Sequence, residues 1–158
     1  IVGAALAASG VRVELIADGV HLHPTTVRVA IAAKGIDNVL LVSDAMAATG
    51  CADGEYVLGP VKVSVQDGEA RLESGALAGS TLTLDRAVSN VARWTGDLGA
   101  AWQMASLNPA LQLGMADRLG RLAPGYTADL VALDGSDQVV LTIVGGEIVY
   151  RREKPGTI

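Results

Sequence analysis

The sequence predicts an α/β fold: a strand–helix–strand unit near its start, a helical middle, and closing strands with no helices between them. Three observations carry this. "VRVELIAD" (11–18) and "NVLLVSDA" (38–45) are apolar on both faces, as strands buried in a parallel sheet must be. "PTTVRVAIAAKG" between them has helical spacing, which makes a βαβ unit. "TADLVALD", "QVVLTIVGG" and "EIVYRR" are separated only by Gly, Asp and Ser turns, which suits an antiparallel sheet or the edge of a sandwich.

The elements follow in order. "IVGAALAASG" is small and apolar and reads as the tail of a helix stopped by Gly10. It has neither the Met nor the basic start of a signal peptide, and it is too short to span a bilayer. A chain that opens inside a helix is expected to be a piece of something longer. After the first strand, Pro24 suits the first turn of a helix, where its missing N–H is not needed. That helix carries Val27, Ala30 and Ile31 on one face and runs to Gly35. Beyond the second strand the chain becomes Gly-rich, with Asp67-Gly68 between short alternating strands, the mark of a β-hairpin excursion. "TLDRAVSNVARWTG" is the clearest helix, with Leu84, Ala87, Val88, Val91 and Ala92 in one stripe, Thr83 as N-cap and Gly96 as stop. Asp97 is expected to cap a further helix, and Asn108-Pro109 to open a short one ending near Gly114. The character of the sequence changes at "LGRLAPGY", which places a boundary between residues 1–118 and 119–158.

Composition excludes some functions. Half of the 158 residues are hydrophobic, only 3% are aromatic and Phe is absent, so the core is built from Val, Leu, Ile and Ala. The net charge is −5, with no block of like charges, whereas a nucleic-acid surface needs clustered Lys and Arg. The single cysteine, Cys51, can make no internal disulfide, which favours a reducing, cytoplasmic setting.

The chemistry-bearing residues gather at two places. A right-handed crossover makes the two strands parallel and opens their carboxyl ends on one face. Asp18, His21 and His23 follow the first strand and Asp44 ends the second. In (β/α) folds that face carries the chemistry. Three readings are open on the residues alone. His21 and His23, the only histidines, could form a His-x-His metal pair, though two ligands do not hold zinc. Asp18-Gly19 could be turn chemistry, with Asp44 binding loop amides. Or Asp44 is an acid/base carboxylate, with His21 holding substrate or polarising a carbonyl.

"ELIADGVHLHP", "LLVSDAMAATG", "GALAGSTLTLDRAV", "SLNPALQLGM" and "RLGRLAPGYTADLVALD" resemble, in the same order, the C-terminal part of the N-acetylglucosamine-6-phosphate deacetylases of the amidohydrolase superfamily. The last block is generic to amidohydrolases; "IADGVH" and "LAGSTLT" are far more specific. The resemblance implies the C-terminal portion of a TIM-like (β/α) barrel over 1–118, with the hairpin inserted, followed by strands of a small β-sandwich over 119–158. It implies metal-dependent hydrolysis of an acetamide on an amino-sugar phosphate, releasing acetate. By the same resemblance Asp44 is the catalytic aspartate, and His21 contacts the sugar phosphate. Leu77, Ala78, Gly79 and Ser80 lie on a substrate-binding loop. The resemblance gives His23 no role, and it reads as a turn or rim residue.

The family's metal, a divalent cation expected to be zinc, is held by a Glu and two His residues upstream of anything in this sequence. The 158 residues are therefore expected to be inactive alone. The partner expectations are a small amino-sugar phosphate and a homodimer of the complete protein, with no nucleic acid and no membrane. The alternatives are another amidohydrolase, acting on cyclic amides or N-acyl amino acids, and a non-catalytic sugar-phosphate binding module. Trp94 and Trp102 are expected to cover core, and Arg86 and Arg93 to be solvated helix charges.

Overall fold

The computed structural model describes residues 1–153, so residues 154–158 of the expected sandwich segment lie outside the described residues. The fold mixes helices and strands in the α/β class and packs as two compact units, Ile1–Ala105 and Ser106 onward.

The first unit is organised on two parallel strands, β1 (Val13–Ile16) and β2 (Val39–Val42), joined through helix α2 (Pro24–Lys34) and a short 3₁₀ turn. Their register runs from Val13 beside Val39 to Ile16 beside Val42. Val39, Leu40 and Leu41 are all buried, as a strand covered on both faces requires. Helix α3 (Leu84–Thr95) lays Ala87, Val88 and Val91 into the core, and α4 (Leu98–Ala105) adds Met104. Full burial of each such Val or Met contributes about 1.5–3 kcal/mol. Trp94 and Trp102 pack against this core from its margin, and Arg86 and Arg93 are exposed.

Caps hold these helices much as local sequence dictates. Pro24 starts α2, and Gly35 ends it at φ 73°. Gly96 ends α3 in the left-handed conformation. Thr83 occupies the N-cap position of α3 but its side chain makes no capping bond. Asp97 accepts from the Ala100 amide at 2.8 Å and opens α4. The first helix also departs from expectation: α1 (Val2–Ala7) ends before Gly10, with Ala8 already extended. The cause is tertiary. The buried Lys34 donates from Nζ to the Ala5 and Ala8 carbonyls at 3.1 and 2.6 Å, taking up carbonyls that the helix end leaves unpaired.

The Gly-rich excursion forms a three-stranded antiparallel meander: β3 (Gly54–Leu58), β4 (Val61–Gln66) and β5 (Glu69–Leu72). Asp67 and Gly68, both at positive φ, make the β4–β5 turn. Val63, Val65 and Ala70 form a small core of their own with Met46, Ala48 and Ala78.

The second unit holds helix α5 (Leu107–Gln112), with Ser106 at its N-cap position, two residues before Asn108, and no capping bond from the Ser106 side chain. It also holds a second antiparallel sheet, β6 (Leu130–Leu133), β7 (Val139–Val144) and β8 (Glu147–Arg151). No residue of these three strands is fully buried, and Ile148, Val149 and Tyr150 of β8 are exposed. The β6–β7 turn is held by Asp134, whose Oδ1 accepts from the Ser136 and Gln138 amides at 2.9 and 3.0 Å while Oδ2 pairs with Arg152. The Arg152 guanidinium, helped by those amides, holds the Asp134 carboxyl at about 2, below its ordinary 3.8. A depressed carboxylate stabilises the fold above its unfolded value and loses that contribution as pH falls through the folded one. The turn is therefore expected to loosen between pH 3.8 and about 2. Amide exchange of Gln138 across that range checks it, and Asp134→Asn should remove the dependence.

Among the described residues no helix is long and apolar enough to cross a membrane.

Candidate active site

The parallel register decides what meets what. Asp18 lies two residues past Ile16 and Asp44 two residues past Val42, so the in-register strands deliver both aspartates to one end of the sheet. A third segment joins them. The Ser80 amide donates to the Asp44 carbonyl at 2.8 Å and the Met46 amide to the Ser80 carbonyl at 2.9 Å, a parallel bridge pairing Ala45 with Ser80.

Asp18 organises the turn after β1. Its Oδ1 accepts from the Val20 and His21 amides at 2.8 and 2.9 Å, an Asx-type turn. Its Oδ2 lies 2.7 Å from His21 Nδ1 and accepts from the Ser80 hydroxyl at 2.8 Å. Ser80 Oγ in turn accepts from the Leu82 amide at 3.1 Å. Burial works to raise the Asp18 pKa, but the bonds from the His21 ring, the two amides and the Ser80 hydroxyl outweigh it. The carboxyl ends below its ordinary value and stays ionised.

The far ring nitrogen of His21, Nε2, faces Asp44 Oδ2 at 3.8 Å. The three side chains grade outward: Asp18 is 11% exposed, His21 19% and Asp44 49%. The outermost carboxylate is thus open to a ligand, and the imidazole is held from behind. Asp44 adopts φ 51°, a left-handed conformation that Asp tolerates better than most residues. Such outliers gather at functional sites and cost about 1–3 kcal/mol each. Gly79, at φ 78°, lies directly over it: a Cβ there would sit 3.1 Å from the Asp44 carbonyl oxygen and 3.8 Å from Oδ2.

The structure therefore brings His21, Asp44, Gly79 and Ser80 together. Leu77 and Ala78 lie one step away, in the seam with the meander: Leu77 bridges to Arg71, and the buried Ala78 donates its amide to the Ala70 carbonyl at 2.9 Å. His23 turns elsewhere. It is the N-cap of α2, and its Nδ1 accepts from the Thr25 amide at 3.2 Å. His23→Ala is expected to cost about 0.5–1 kcal/mol of stability, as lost caps do, and to leave ligand affinity unchanged. Thermal unfolding alongside a binding isotherm checks both halves.

Sequence reasoning gave no part to Asn90. From α3 its Nδ2 donates to the Ala17 carbonyl at 2.9 Å, fixing the backbone just before Asp18. Trp94, one turn on, comes within 3.8 Å of where a Cβ on Gly19 would stand. The available signal was an amide residue at the edge of an apolar helical stripe, which reads as surface until the helix is docked.

The residues do not close a metal site. Among the described residues no three His, Cys, Asp or Glu side chains come together as a metal-holding group.

The sequence profile of the Amidohydrolase family matches residues 4–149. The chain is 43% identical over 151 residues to the N-acetylglucosamine-6-phosphate deacetylase of Vibrio furnissii, covering 95% of this chain and 38% of that protein. It is 42% identical over 149 residues to the N-acetylgalactosamine-6-phosphate deacetylase of Escherichia coli O157:H7, covering 94% of this chain and 39% of that one. Among solved structures, the N-acetylglucosamine-6-phosphate deacetylase of Thermotoga maritima superposes with a TM-score of 0.90 at 43% identity, covering 96% of this chain and 42% of that one. The chain thus spans about two fifths of the length of these relatives.

Proposed function

The chain belongs to the amidohydrolase family, and on that premise we propose that it carries the proton-transferring carboxylate of an N-acetylglucosamine-6-phosphate deacetylase. The single observation that carries this reading is the shared mouth, where Asp44, half exposed and set at a left-handed backbone position, stands 3.8 Å from a His21 braced from behind.

The reaction is hydrolysis of the acetamide of N-acetylglucosamine 6-phosphate. Asp44, as carboxylate, takes a proton from the water that adds to the acetamide carbonyl. It then returns that proton to the sugar nitrogen as the C–N bond breaks, releasing acetate and glucosamine 6-phosphate. His21 contacts the sugar phosphate through a hydroxyl of the sugar, and the loop of Leu77, Ala78, Gly79 and Ser80 forms the adjoining wall. At Gly79 the missing Cβ permits close approach. In this reading a divalent cation, with zinc as our assignment, belongs to the complete active site. Among the described residues no three such donors come together, and we assign its ligands to residues outside the 158.

We read residues 1–118 as part of a (β/α) barrel, with the parallel β1–β2 pair and the Ala45–Ser80 bridge as three successive strand ends. The uncovered sheet of β6–β8 is read as one layer of a small sandwich over 119–158. The complete protein is read as a cytoplasmic homodimer.

A second substrate has specific support, since a relative nearly as similar is named for the galactosamine compound, the C4 epimer. Acetate release tests the reading with both sugar phosphates offered side by side. The complete polypeptide containing this chain should release acetate and lose activity to a chelator. The 158 residues alone should release none. Absence of acetate from both sugars with the complete polypeptide would overturn the reading; native-rate release by the 158 residues would overturn the placement of the cation ligands.

A further inference from the structure

We propose that Asp18 is a positioning residue: it fixes His21 in the Nδ1–H tautomer, so that Nε2 faces the mouth as a hydrogen-bond acceptor beside Asp44. The functional half of this inference rests on the reading of His21 as a substrate contact.

The tautomer follows from donor and acceptor accounting. An ionised carboxylate only accepts, so at 2.7 Å from Asp18 Oδ2 the nitrogen Nδ1 must be the donor. A neutral ring then carries no proton on Nε2. Asp18 is itself held from three directions: the Val20 and His21 amides fill Oδ1, and the Ser80 hydroxyl shares Oδ2 from 62 residues along the chain. Behind it, Asn90 fixes the Ala17 carbonyl. The ring thus cannot swing or invert its protonation without breaking a bond network that spans three segments. With Nε2 as acceptor, the mouth presents two acceptors, the ring nitrogen and the Asp44 carboxylate. That pair suits a ligand bringing O–H or N–H donors, such as a sugar hydroxyl and an amide.

Asp18→Asn tests this with little change of shape. The two backbone amides require oxygen at the Oδ1 position, so the new NH₂ group falls where Oδ2 was. It then donates to Ser80 Oγ and to His21 Nδ1, which forces the ring proton onto Nε2. The chain has only two histidines, and His23→Ala tells their signals apart. In long-range ¹H–¹⁵N spectra, at a pH where the rings are neutral, the unaltered chain should show a protonated Nδ1 and a bare Nε2 for His21. Asp18→Asn should reverse the two. In the complete polypeptide it should raise KM for the sugar phosphate by about tenfold, with a smaller effect on kcat, as expected for an unmatched polar contact.

A role for Asp18 confined to the turn would leave the nitrogen pattern unchanged, because Oδ1 and its two amide bonds survive. That result, or an Nε2–H ring in the unaltered chain, overturns the proposal. If Asp18→Asn does not fold, the spectrum of the unaltered chain decides by itself. If the tautomer is as expected but no acetate is ever released, the positioning stands and the deacetylase reading falls. The opposite pair of results removes Asp18 alone.

Discussion

Asp44→Asn, made in the complete polypeptide, is expected to lower kcat by about 10²–10⁴, the usual contribution of a positioned acid/base group. At 1.36 kcal/mol per decade this corresponds to about 3–5 kcal/mol of transition-state stabilisation. KM should change by no more than about threefold, because the side chain keeps its size and the group removed acts on a proton in flight. The substitution is clean for structural reasons. Asn tolerates a positive φ as well as Asp does, so the 51° backbone at this position survives. The bond from the Ser80 amide goes to the Asp44 carbonyl, which the change does not touch. Steady-state kinetics with acetate detection measures the split. Near-normal turnover would move the chemistry off Asp44 and favour another amidohydrolase reaction. A large rise in KM with intact kcat would recast the residue as a substrate ligand.

The parts of the fold that local chemistry controls were legible. The second strand, apolar on both faces, is buried at Val39, Leu40 and Leu41, whereas the first buries only Leu15 and exposes Glu14; Pro24, Gly35 and Gly96 punctuate helices where their backbone preferences put them. The parts set by distant contacts were not. Nothing near Gly10 announces that Lys34, buried 26 residues beyond Ala8, takes the carbonyls at the end of α1. The site divides along the same line. That Asp18 and Asp44 end successive strands was visible, but that they leave the sheet at matching positions depends on a register no short stretch encodes. The Asp18–Ser80 bond was invisible for the same reason. Ser80 offers a further lesson. "LAGST" has no apolar run to mark it as a strand, and it joins the sheet by one bridge only, through its backbone. A small, weakly patterned segment can still be the third wall of a site, because backbone bonds ask little of side chains.

Gly79→Ala is the second large effect expected, and it probes whether Asp44 is placed by the backbone around it. Two costs arise together. A Cβ at φ 78° costs about 1–2 kcal/mol by itself. The same Cβ would stand 3.1 Å from the Asp44 carbonyl oxygen and 3.4 Å from Met46 Cβ, so one side must yield by a few tenths of an ångström. Neither neighbour yields readily. The carbonyl is tied to the Ser80 amide at 2.8 Å, Asp44 already occupies a left-handed conformation, and Met46 is packed in the core of the meander. Relief therefore comes by opening the Ala45–Ser80 bridge, which shifts the carboxylate against its substrate. The expected outcome is a loss of about 1–3 kcal/mol in stability and a fall of about 10–10² in kcat, as small misplacements of catalytic groups produce. Gly75→Ala is the internal control. Gly75 has φ 83° but open space around its missing Cβ, so it bears the backbone cost without the contact. Thermal unfolding of the two variants isolates the contact, and kcat measured beside it reports the displacement of Asp44. Equal stabilities and equal turnover for the two would mean that the backbone over Asp44 is slack, and that the carboxylate owes its place to its own side chain.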